Sequence, residues 1–268
     1  GGNDGAREAL EKFWRAISEA GRLYAPAAMV LQAMTGVFSP YQFNPFNLNP
    51  LREVLEKNVD MEAVRTCDCV ELFVCATNVR SGQPRIFSTR ELTLEMVLAS
   101  ACVPTLFRAV QVSGEDYWDG GYMGNPPLYP LIYNTLSRDI VIVHINPIVR
   151  PQLPTTPAEI QNRLNEITFN SSLIRELRAI AFVTKLIDGG WLKDEYRDKL
   201  KHVLIHSIRS DEAMCDLTVA SKMNTDWSFL RDLRDRGRAA AAAWLAQAYD
   251  HIGQRSSVDL RREYLGEV

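Results

Sequence analysis

Asp139-Ile140-Val141-Ile142-Val143-His144-Ile145 is the most strand-like run of the chain. Its near-continuous apolar character suits a strand covered on both faces by helices, as in layered α/β proteins. The sequence that follows supplies such a helix. Thr156-Pro157-Ala158-Glu159 sets a hydroxyl at the N-cap, proline at the first helical position and glutamate at N3, which is a capping box. Apolar residues then recur at Ile160, Leu164, Ile167, Ile174, Leu177, Ala181 and Ile187, close to the helical period. Asp188-Gly189-Gly190 ends the run, with Gly189 expected as a left-handed C-cap. A further strand is predicted over His202–Ile208. A last helix follows over Trp227–His251, with Leu230, Leu233, Trp244 and Leu245 as its apolar positions.

Toward the N-terminus the same alternation continues. Ala6–Met34 reads as helix broken near Pro26, with Leu10, Phe13, Trp14 and Ile17 on one face. Phe38–Pro50, rich in proline, asparagine and aromatics, reads as an irregular loop pinned to the core by Phe43 and Phe46. A short helix over Leu51–Lys57 comes next. Val70–Thr77 and Arg85–Phe87 form a predicted hairpin around Ser81-Gly82-Gln83-Pro84, and Thr93–Ala101 is a predicted helix. Strands alternating with helices, with no repeat or low-complexity linker, imply one α/β layered domain over residues 1–268.

Bulk properties narrow the function. A net charge of -3 offers no basic surplus, so nucleic acid is not an expected partner. No apolar run is long enough to span a bilayer. Five cysteines, an odd number, point to a reducing compartment rather than a disulfide framework. Cys67-x-Cys69 has no second Cys or His pair at ligand spacing, so no metal site is expected. The interleaving of Asp232 and Asp235 with Arg231, Arg234, Arg236 and Arg238 reads as a solvated helix face. Gly1-Gly2-Asn3-Asp4-Gly5 lacks the charged start and apolar core of a signal peptide, and there is no initiator methionine. A loop opening straight into a helix suggests a processed or trimmed chain.

One stretch carries chemistry: Tyr117-Trp118-Asp119-Gly120-Gly121-Tyr122-Met123-Gly124-Asn125-Pro126-Pro127. A carboxylate acts as general base only if a hydroxyl can approach to hydrogen-bond distance. Gly120 and Gly121 let the backbone turn sharply after Asp119 without a β-carbon in the way. Tyr117 and Trp118 are expected to shield one side of the carboxylate. Asn125, before two prolines, is expected to brace the turn or the carboxylate. Asp-Gly-Gly alone is also a good structural turn, and Asp188-Gly189-Gly190 has that simpler reading at a helix end.

The context separates the two. Ala99-Ser100-Ala101, Pro104 and Phe107, then Asp119-Gly120-Gly121 and Asn125-Pro126-Pro127, resemble in order and spacing the bacterial patatin-like phospholipases. Val70–Phe87, Asn165–Arg178 and Ser221–Leu245 are similar to further parts of that family, so the resemblance covers most of the chain. It implies a three-layer α/β/α fold with a central, mostly parallel sheet. It also implies a lipid acyl hydrolase with a Ser–Asp dyad. Asp119 would be the dyad acid, Gly120 and Gly121 its turn, and Asn125 a supporting residue, with no metal or other cofactor required. The substrate would be a lipid or other acyl ester met at a membrane surface from the cytoplasm. Under that reading the aromatics of Phe38–Pro50 could instead line a lipid-entry rim.

The departure lies at the front. No serine in the chain sits in a Gly-x-Ser-x-Gly nucleophile elbow. Ser100 and Ser113 are the serines nearest the motif, and neither has the flanking glycines an elbow requires. The nucleophile and its glycine-rich oxyanion loop are therefore expected upstream, in a segment that is missing or supplied in trans. A Ser–Asp dyad needs no imidazole. That agrees with His144 and His206 as core residues and His202 and His251 as surface positions. Two alternatives stand beside the phospholipase reading: an esterase or thioesterase acting on a soluble ester or storage polyester, and a non-catalytic scaffold of the same fold.

Overall fold

The computed structural model describes residues 2–34, 38–215, 217 and 219–266. They fall into two compact units, Gly1–Met123 with Asn224–Asp232, and Gly124–Met223 with Leu233–Val268. The expected α/β class is observed, with helices and sheets alternating along the chain.

The first unit opens with α1 (Gly2–Met34), α2 (Pro40–Phe43), α3 (Pro50–Asn58) and α4 (Met61–Arg65). Helix α1 runs through Pro26 without a break, correcting the expected interruption. In the expected loop, Phe46 is 84% exposed and pins nothing. Asn44 holds it instead: buried, its side chain accepts from Leu48 N–H and donates to Leu48 O.

Two hairpins then build one sheet. Strands β1 (Phe73–Asn78) and β2 (Pro84–Ser88) pair antiparallel, as predicted. The Asn78 side chain accepts from Arg80 and Ser81 N–H, and Gly82 takes a positive φ, a turn closed by its own side chain. After α5 (Leu94–Ser100), the short strands β3 (Val110–Val112) and β4 (Glu115–Asp119) form the second hairpin. Its two-residue turn, Ser113-Gly114, has φ of +52° and +85°, matching the twist of the strands. Antiparallel pairing of β1 with β4 gives the order β2-β1-β4-β3. Ala76, Phe87, Leu92, Met96, Ala99, Val112 and Tyr117 fill the core between this sheet and α5.

The second unit comprises α6 (Tyr129–Asn134), β5 (Asp139–His144), α7 (Pro157–Asp188), β6 (Leu204–Arg209), α8 (Asp211–Met214) and all but the first turns of α9 (Trp227–Ala248). Strands β5 and β6 pair in parallel, the parallel component of the fold among the described residues. Ile140 and Ile142 of β5 join Leu173, Leu177 and Ile180 of α7 in the core. The capping box at Thr156 and Glu159 forms as expected. At the other end of α7 the glycines punctuate as predicted, one residue later. Gly190 is the left-handed residue, Trp191 N–H donates to Leu186 O, and Gly190 N–H to Ile187 O.

Two expectations of burial are corrected here. β5 alternates: Val141 is 43% and Val143 66% exposed, so only one face is covered. In the first half of α7, Ile160, Leu164 and Ile167 are exposed, while Glu166 and Asn170 point inward. The polar pair is satisfied, which makes its burial tolerable. Arg150 and Arg163 donate to Glu166, and Asn170 bonds His144 Nε2 and the carbonyls of Asn146 and Pro147.

Candidate active site

Asp119 is the last residue of β4, opposite Ala76 of β1. Hydrogen bonds at its N–H, its carbonyl and its carboxylate fix it. Its N–H donates to Cys102 O at 2.9 Å. Its carbonyl accepts from Thr77 Oγ1 at 2.8 Å, and its Oδ1 accepts from Gly121 N–H at 2.7 Å. The last bond makes Asp119 the N-cap of a single 3₁₀ turn, Gly120–Tyr122.

Gly120 is demanded by packing and not by φ. A β-carbon there would lie 2.0 Å from Cys75 O and 2.5 Å from its carbonyl carbon, both backbone atoms that cannot swing aside. The turn therefore rests directly on β1, and Cys75 Sγ donates to Gly120 O at 3.7 Å. Both glycines are buried.

The charge of Asp119 is felt by two neighbours. Burial, with that charge adding to it, pushes the Cys102 thiol up to about 11. The Tyr122 phenol is raised by the same two causes in the same order, with Cys102 a third. At neutral pH the Cys102 thiol and the Tyr122 phenol both stay protonated, so the neighbours of Asp119 named here are neutral polar side chains. A half-buried carboxylate at the end of a strand, with one oxygen tied to a backbone N–H, can accept a proton from a hydroxyl brought to it.

The structure places the remaining expected residues as follows. Tyr117 is buried against Phe87, with ring centroids 5.7 Å apart, and Trp118 alternates with it along the strand. The two aromatics therefore do not shield one side of the carboxylate together, contrary to expectation. Asn125, in the second unit, spends its N–H on Ser172 Oγ and its Nδ2 on Phe169 O, so it braces the chain against α7. The Ser100 hydroxyl donates back to Val97 O in its own helix, and Ser113 is a hairpin turn residue.

Thr77, Cys102 and Tyr122 are the residues that sequence reasoning missed. Thr77 and Cys102 reach Asp119 through hydrogen bonds from other segments, which no spacing in the sequence announces, and Tyr122 follows within the same turn.

The histidines are occupied elsewhere. His144 bonds Asn170, with its pKa lowered chiefly by burial, and His206 bonds Asp139 Oδ1 at 2.9 Å. His202 lies against Asp188, and His251 accepts from Arg255. Among the described residues no group of three or more His, Cys, Asp or Glu side chains is arranged to hold a metal ion. No helix among them is long and apolar enough to cross a membrane.

A search of curated proteins gives no match. The family model for patatin-like phospholipases matches residues 4–132, a stretch that contains Asp119, Gly120, Gly121 and Asn125. Over residues 4–132 the chain is therefore similar to the patatin-like phospholipases.

Proposed function

We propose that the protein hydrolyses acyl esters of lipids through a Ser–Asp pair in which Asp119 is the proton acceptor. The serine would be borne by sequence outside residues 1–268, since no Gly-x-Ser-x-Gly occurs within them. In the first step its hydroxyl attacks the ester carbonyl while the Asp119 carboxylate takes its proton. That proton then goes to the departing alcohol. In the second step Asp119 takes a proton from the water that attacks the acyl-enzyme, and returns it to the serine oxygen as the carboxylic acid leaves. The observation that carries this reading is the fixed strand-end carboxylate, held by Gly121 N–H on a turn that tolerates no side chain at position 120.

Lipid as the substrate class is supported by the exposure of Tyr41 on α2 and of Phe46 and Leu48 on the loop that follows it. These side chains suit contact with a membrane surface, reached from the cytoplasm. A scaffold reading draws on the lack of an elbow serine in residues 1–268.

Asp119→Asn in the protein as it occurs in the cell, assayed on phospholipid vesicles, separates the two. Asparagine keeps an oxygen for Gly121 N–H, so the fold should stand. Turnover should fall about 10²- to 10⁴-fold, the range of a lost general base. A near-normal rate would reduce Asp119 to a turn residue, and a wild-type protein without turnover would favour the scaffold.

A further inference from the structure

The second unit contains a cavity of about 650 Å³ between α6, the C-terminal half of α7 and the segment leading into β6. That is the size of a small-molecule site. About half of its lining is aliphatic: Ile132 from α6, Ile180 and Val183 from α7, then Leu136, Leu200 and Val203. Leu136 is 100% and Tyr133 82% exposed, so this part of the lining faces solvent.

The charged groups on the cavity are of nearly one sign. Arg138, Lys199 and Lys201 all line it. Arg138 donates to Gly253 O, and Lys201 Nζ to the carbonyls of Thr135 and Ser137. Lys199 Nζ stands 5.2 Å from the centre of the Tyr196 ring. Arg138 also contributes, after Gly253 N–H and His206, to holding the Asp139 carboxyl below its ordinary value. Asp139, next to Arg138 in sequence, is committed to Gly253 N–H and His206. The one lining carboxylate, Glu176, accepts the N–H groups of Leu128 and Tyr129 at 2.7 and 2.9 Å. Burial raises its pKa, against the effect of those two bonds.

A partly aliphatic trough with three cations at its edge is complementary to one long hydrocarbon chain ending in one negative head. We propose that this cavity binds a long-chain fatty-acid anion, its chain along Ile132, Ile180 and Val183 and its carboxylate among Arg138, Lys199 and Lys201. The inference is independent of Asp119, and its readout is binding, so failure of either proposal leaves the other testable.

Isothermal titration of the purified protein with dodecanoate, below its micellar concentration, tests it beside dodecanol and acetate. Dodecanoate should bind saturably, about one per chain, with dodecanol weaker and acetate silent. Val183→Trp, which fills the trough, should abolish binding. Lys199→Glu, on an exposed side chain that leaves folding intact, should weaken it about three- to tenfold. The proposal is overturned if dodecanoate gives no saturable binding, if dodecanol or acetate binds as well, or if Lys199→Glu binds like the wild type.

Discussion

Thr77 and Asp119 are tied across the β1–β4 ladder by a hydrogen bond from Thr77 Oγ1 to Asp119 O at 2.8 Å. Thr77 is buried, so its hydroxyl is spent on holding the aspartate's backbone in place. Thr77→Val keeps the shape and removes the donor. It should cost about 1–2 kcal/mol of stability, the range for a buried acceptor that loses its partner. Urea unfolding measures this, and an unchanged midpoint would show that the bond contributes nothing.

Gly120→Ala should be more damaging. Because the obstruction is the Cys75 carbonyl, relief requires the 3₁₀ turn to lift from β1. The expected loss is about 2–4 kcal/mol, as for other substitutions that force a buried backbone to move. Gly82→Ala, where the β-carbon would meet nothing but φ is +66°, serves as the control for a purely conformational cost. Equal losses for the two would refute the packing argument.

The loop after α2 offers a test of membrane contact. Phe46 is exposed, so Phe46→Glu should leave the melting temperature unchanged. It should lower association with phospholipid vesicles about tenfold or more, in line with the transfer energy of a phenylalanine side chain. Co-sedimentation with vesicles reads this directly, and equal partitioning of the variant would remove the loop from the membrane-binding surface.

His144 gives the fold a defined response to acid. Its folded pKa lies below the ordinary 6.5, chiefly through burial, so the native state favours the neutral ring. The associated stability is present above pH 6.5 and is lost as pH falls through the lower, folded value. His144→Gln has no ring to protonate. Its urea midpoint should therefore fall less than that of the wild type between pH 7.5 and pH 5.5. Parallel declines would show that other groups carry the acid response.

Much of the architecture was legible because it rests on local chemistry. The capping box at Thr156, the glycines after Asp188 and the hairpin around Gly82 each declare themselves within a few residues. The β3–β4 hairpin escaped notice because its strands are three and five residues long, too short for alternation to register. Burial on α7 was misjudged for a different reason. Periodicity counts apolar residues, and the inward side of its first half is held by Glu166 with two arginines and by Asn170 with His144. At the site, Asp119 and its glycines could be read from the motif. Thr77 and Cys102 could not, since they reach the aspartate only once β1 and the end of α5 are folded beside it.

Strand β5 has one last consequence, for handling the protein at high concentration. Among the described residues it pairs only with β6, and Val141 and Val143 on it are exposed, as is Ile145 just beyond it. An apolar row on a strand with an open edge is a template onto which another molecule's strand can add. Turbidity should thus rise with protein concentration and warming. One lysine in place of Val143 should hold the solution clear, because a charge there must be desolvated before a second strand can dock.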